Sequence, residues 1–122
     1  MMRSFMQAAV LAGVLGVGGS VLMAHAKLQK TEPAANATLT KAPAQIAVTF
    51  SEAPDAAVSK LSIKGPTDKV SLVKTHVMGK QLMATVQGQM TDGVYTVSWQ
   101  TAGDDGHAQK GDFAFTLKTQ TQ

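Results

Sequence analysis

The chain has 122 residues, with 11 basic and 8 acidic side chains, a formal net charge of +3 and no cysteine. That length holds one domain of modest size, and the lack of cysteine excludes disulfides, thiolate metal sites and a lipid-modified cysteine. So small and dispersed a positive charge is no nucleic-acid footprint.

In chain order, the first segment is not part of a domain. Arg3 precedes a short apolar run from Phe5 to Val17, closed by Gly18-Gly19-Ser20 and followed by Val21-Leu22-Met23-Ala24. This is the layout of a cleaved secretory signal, and the run is too short to anchor in a bilayer. Residues 1–24 are expected to be removed, leaving 25–122 as an exported domain without a membrane anchor, in the periplasm or the extracellular space. Small residues are preferred at positions −1 and −3, so cleavage after Ala26, with Ala24 at −3, fits the simplest rule better than cleavage after Ala24, with Leu22 at −3. Only the latter leaves His25 at the amino terminus. Loss of Arg3 leaves ten lysines against eight acids, a net charge of +2.

From His25 onward, short runs of β-branched and aromatic residues alternate with Gly, Pro, Asp and Asn, which predicts an all-β sandwich or barrel. Seven strands are expected, near Lys27 to Lys30, Gln45 to Phe50, Lys60 to Lys64, Val70 to Val77, Gln81 to Gln87, Val94 to Gln100 and Asp112 to Lys118. Period-2 alternation puts Ile46, Val48 and Phe50 on one face, and likewise Tyr95, Val97 and Trp99, and Phe113, Phe115 and Leu117, so the three strands supply one core between two sheets. Gly79-Lys80 fits a two-residue type II′ turn with glycine first. The resulting register pairs Val77 with Leu82, Thr75 with Ala84 and Val73 with Val86 facing inward, and His76 with Met83 and Met78 with Gln81 facing outward. Lys60, Lys64 and Lys74 suit protected sheet edges and a monomer. The tail Thr119-Gln120-Thr121-Gln122 is expected to fray.

Three histidines carry the chemistry. On composition alone each is an ordinary surface residue, but Asp105 and His107 lie two apart in the turn Asp104-Asp105-Gly106-His107. If cleavage exposes His25, its freed α-amine and imidazole can chelate one metal from two nitrogens. Amine, two imidazoles and a carboxylate suit the tetragonal preference of copper(II), whereas zinc favours a tetrahedron, usually with thiolate or more imidazole. All the nitrogen donors must shed protons to bind, so affinity should fall steeply on acidification.

At these residues the sequence resembles the CopC-type periplasmic copper-resistance proteins. The likeness runs through His25-Ala26-Lys27-Leu28, Pro33-Ala34, Pro43 through Ile46 to Phe50-Ser51-Glu52, Gly93-Val94-Tyr95 to Trp99, and Asp105-Gly106-His107 to Gly111-Asp112-Phe113-Ala114-Phe115. The resemblance implies a seven-stranded Greek-key sandwich or barrel, cupredoxin-like or immunoglobulin-like, with a copper(II) site made by His25, Asp105 and His107. It further implies a weak-ligand or supporting role for Glu52, whose plainer reading is an exposed acid at a strand end. Some members carry a methionine-rich loop for copper(I), but here Met1, Met2, Met6 and Met23 lie in the signal. Met78, Met83 and Met90 remain and lack that loop's spacing. His76, Met78 and Met83 nevertheless share the predicted outward face, where thioethers and imidazole suit a separate, weak copper(I) site.

The expected function is a non-enzymatic copper-binding protein of copper homeostasis or resistance, which sequesters the ion or delivers it to an inner-membrane transporter or another periplasmic copper protein. Two alternatives stand beside it. A histidine-brace copper oxygenase shares the N-terminal chelate but needs a broad substrate face, and alternation sends nearly all the aromatics inward. A metal-free immunoglobulin-like structural module is what the strands alone suggest.

Overall fold

The computed structural model describes residues 27–102 and 106–119, and among them there is no helix. Eight strands form: β1 Leu28–Glu32, β2 Thr38–Leu39, β3 Gln45–Phe50, β4 Lys60–Lys64, β5 Ser71–Met78, β6 Gln81–Gln87, β7 Gly93–Ala102 and β8 Ala108–Leu117. They build two four-stranded sheets, in the orders β1-β3-β6-β5 and β2-β8-β7-β4. Strands β3 to β6 trace a Greek key. β4 lies beside β5 where the two sheets meet, β5 and β6 form a hairpin, and β6 returns to pair with β3.

The core lies between the sheets, where the alternating residues point. Ile46, Val48, Phe50, Tyr95, Val97 and Phe115 are each almost wholly buried, with Trp99, Phe113 and Leu117 beside them. Phe50 meets the Trp99 ring edge-on at 5.2 Å, and Tyr95 stacks on Phe115 at 5.5 Å, both favourable arrangements of aromatic quadrupoles. Trp99 reaches this position by lying across Gly111, its cross-strand partner, where a Cβ would fall 2.7 Å from the ring. The Tyr95 hydroxyl donates to the Thr91 carbonyl at 2.7 Å and accepts from the Thr91 amide at 3.0 Å, so its one polar atom is satisfied at the start of β7.

The observed order departs from the sequence expectation in three places. The first is β2, an eighth strand of two residues that pairs parallel to β8, too short to carry any period. The second is the β5–β6 hairpin. Its turn is as expected, with Gly79 at φ 63 and Lys80 absent from the positive-φ residues, and Val77↔Leu82, His76↔Met83 and Met78↔Gln81 pair as predicted. Beyond His76 the register slips, so that Val73 opposes Thr85 rather than Val86, and Leu72 opposes Val86. Lys74, at φ 59, begins this bulge. A bulge adds a residue to one strand and reverses its alternation. Thr75 is therefore exposed, and Leu72, not Val73, packs on the core with Val77.

The third departure is at the C-terminal end. Thr119 is held, its amide and hydroxyl both donating to Asp92 Oδ1 at 3.0 and 2.8 Å. These two donors keep the Asp92 carboxyl below its ordinary range, the backbone bond contributing most. Residues 120–122 lie outside the described part. As expected, Lys60 and Lys64 lie on the edge strand β4 and Lys74 on the edge strand β5.

Candidate metal centre

Strand directions gather the chemistry-bearing segments at one end of the sandwich. β3 runs toward this end and stops at Phe50, opposite Leu28 at the start of β1. Just beyond, Lys27 and Ser51 clasp each other: the Lys27 amide donates to Ser51 Oγ at 2.9 Å, and the Ser51 amide donates to the Lys27 carbonyl at 2.8 Å. The chain two residues after His25 is thus tied beside Glu52. The β5–β6 turn reaches the same end, the Phe50 amide donating to the Lys80 carbonyl at 2.9 Å.

The opposite sheet delivers the β7–β8 loop to this end. The antiparallel ladder runs up to the pair Ala102↔Ala108, so Gly106 and the exposed His107 sit immediately beyond it. A polar brace fixes the 51–59 connection against this loop. The Asp55 amide donates to the Ala102 carbonyl at 3.2 Å, Ser59 Oγ donates to the Asp55 carbonyl at 2.6 Å, and Ser59 and the fully buried Thr101 share a hydroxyl bond of 2.8 Å. Asp55 Oδ1 accepts from the Ala57 amide at 2.9 Å, closing the turn.

Of the four sequence-predicted site residues, Glu52 and His107 are described and lie at this end, Glu52 after β3 of one sheet and His107 before β8 of the other. His25 and Asp105 lie outside the described residues, as do residues 1–24, expected from the sequence to be a signal. Among the described residues no three His, Asp or Glu side chains form a metal cluster by themselves. Glu52 has an informative feature: its Oε1 is buried and has no hydrogen-bond partner among the described residues. A buried carboxylate oxygen with no donor is costly unless a cation or donor meets it. Such an oxygen, next to Ser51 of the clasp and at the end of the sandwich where the His107 segment lies, is a hard donor of the kind a divalent ion takes. The sequence reading missed the Ser51 clasp and the Asp55–Ser59–Thr101 brace. The available signal was Pro54-Asp55, a turn pair just after a strand.

All five aromatic residues after position 25 are buried: Phe50 0%, Tyr95 0%, Trp99 8%, Phe113 7% and Phe115 1% exposed. None is available to stack on a substrate at this end.

The comparisons with known proteins agree with one another. The CopC domain model matches residues 28–118. Protein YobA of Escherichia coli K12 is 35% identical over 99 residues, covering 78% of this chain and 80% of its own. Copper resistance protein C of Xanthomonas campestris pv. juglandis is 31% identical over 104 residues, covering 78% of this chain and 81% of its own. Among solved structures, CopC from Methylosinus trichosporium OB3b superposes with a TM-score of 0.71 at 22% identity, over 80% of this chain and 98% of that one.

Proposed function

We propose, from the premise that this chain belongs to the CopC family, that its exported form begins at His25 and binds one copper(II) ion outside the cytoplasm. The α-amine and imidazole of His25 form the chelate, and Asp105 and His107 supply a carboxylate and a second imidazole. Glu52 orients the amine or binds weakly from its buried oxygen. A relative's name, copper resistance protein C, supports the choice of ion. The observation that carries the reading is the orphaned Glu52 Oε1 at the end where Lys27 is clasped and the His107 loop arrives. The copper is cargo, and the protein sequesters it or hands it to an inner-membrane transporter or another periplasmic copper protein. It acts as a monomer and as no enzyme.

Burial of every aromatic after position 25 favours this reading over a copper oxygenase, which needs an apolar platform for its substrate. A carboxylate among the ligands also stabilises copper(II) against reduction. One equivalent of copper(II) should therefore give a tetragonal, nitrogen-rich paramagnetic resonance signal that persists in ascorbate without peroxide production. Rapid loss of the signal with peroxide release would favour the oxygenase. Copper binding with no nitrogen hyperfine structure, unchanged in a His25→Ala, His107→Ala chain, would favour the metal-free structural module.

A further inference from the structure

The outer face of the second sheet holds a recess of about 450 Å³ over β4, β7 and β8, a volume in the range of small-molecule sites. Two cross-strand rows line it. Lys60, Gln100 and Lys110 form one, and Ser62, Ser98 and Asp112 form the other. Leu61 and Trp99, between the rows, turn into the core, so strand alternation leaves these six side chains on the solvent side. Gln100 is half-buried and the others are exposed.

The register spaces the charges. Lys60 and Lys110 stand on either side of Gln100, two strand spacings or about 10 Å apart. Ser62 and Ser98 are direct cross-strand partners in the other row, with Asp112 at its end. Among the described residues, none of the six side chains is hydrogen-bonded or ion-paired to another residue. Asp112 therefore neutralises neither lysine, although it lies two positions from Lys110 on β8. Two ammonium groups across a concave surface call for two negative charges on one small molecule. The hydroxyls of Ser62 and Ser98 add donors for the same oxygens, while the Asp112 carboxylate repels a further negative charge and accepts from a hydroxyl.

We infer that this recess binds a small dicarboxylate that carries a hydroxyl group. One carboxylate meets Lys60 and the other Lys110, Ser62 and Ser98 donate to their oxygens, and Asp112 accepts from the ligand's hydroxyl. The site shares no residue with the amino-terminal chelate and stands independently of it.

The test titrates malate into the isotope-labelled exported chain before any copper is added, with backbone amides followed by nuclear magnetic resonance. The amides of both rows should shift together and saturate as a single site. A Lys60→Gln, Lys110→Gln chain, altered only at exposed positions, should bind at least about 10-fold more weakly, as the loss of two charge-assisted bonds requires. Lys41→Gln, an exposed lysine ahead of β3, should bind like the parent. Succinate, which lacks the hydroxyl, should bind about 3- to 10-fold more weakly than malate, the worth of one hydrogen bond. Malate affinity within about twofold of the parent in the double variant, or succinate equal to malate, would overturn the proposal. So would tighter binding of inorganic phosphate, which would make the recess a plain anion patch, or of a glutamate-rich peptide, which would make the face a protein-docking surface.

Discussion

Replacing His25 by alanine in the exported chain should weaken copper(II) binding by more than about 100-fold, the upper end of what losing a ligand's mere support costs. In the proposed site the substitution removes an imidazole and breaks the chelate ring, leaving the amine, Asp105, His107 and Glu52 to act separately. A companion variant with one glycine placed before His25 keeps every side chain but moves the α-amine off the ring. If the chelate is the source of affinity, it should lose nearly as much as His25→Ala. If the glycine-extended chain binds like the parent, the amine is not a ligand, and the imidazoles with the carboxylates carry the site. Isothermal titration against a competing chelator reads both variants. The Lys27–Ser51 clasp lies after the substitution in each, so neither change alters how β1 docks.

The second large effect is on the fold, at the residue that joins core and site. Phe50→Ala should lower unfolding stability by about 3–5 kcal/mol, the usual loss for a fully buried phenylalanine. Phe50 is 0% exposed, meets Trp99 edge-on at 5.2 Å and immediately precedes the clasp residue Ser51. Loss of the ring leaves a cavity under both the amino-terminal clasp and the Trp99 indole. Denaturant unfolding followed by Trp99 fluorescence, the chain's single tryptophan, measures it. A loss under about 1 kcal/mol would mean that the two sheets close over the gap and that this end of the core is pliant, against the packing rule for such cavities.

Most of the sandwich was legible because its strands are long enough to alternate. Tyr95-Val97-Trp99 and Phe113-Phe115-Leu117 fall on their predicted core face, and the Gly79-Lys80 turn set the near half of its hairpin correctly. What escaped was local. A two-residue strand such as Thr38–Leu39 carries no period. A bulge at Lys74 places a non-glycine residue at positive φ, and no residue type there announces it. The slip then exchanged Val73 for Leu72 on the core face, the consequence of shifting a period-2 pattern by one.

The proposed site was read from the sequence as donor chemistry, without geometry. A histidine at the expected cleavage junction and an Asp-x-His turn say which ion their donors would suit, but not that they meet. The fold adds the convergence of Lys27, Ser51-Glu52 and the 106–108 segment at one end. It also adds the Asp55–Ser59–Thr101 brace that holds two of these segments together. Neither follows from spacing, because the contacts that close them join residues 24 positions apart in the Lys27–Ser51 clasp and 42 apart in the Ser59–Thr101 pair.

The measurement that bears most directly on the copper(II) site is a native mass spectrum of the exported chain, loaded with one equivalent of copper(II). It reads the first residue and the bound metal together. A single species beginning at His25 and carrying one copper is the expected result. A chain beginning at Lys27, or one beginning at His25 that leaves the copper free, would contradict the amino-terminal chelate.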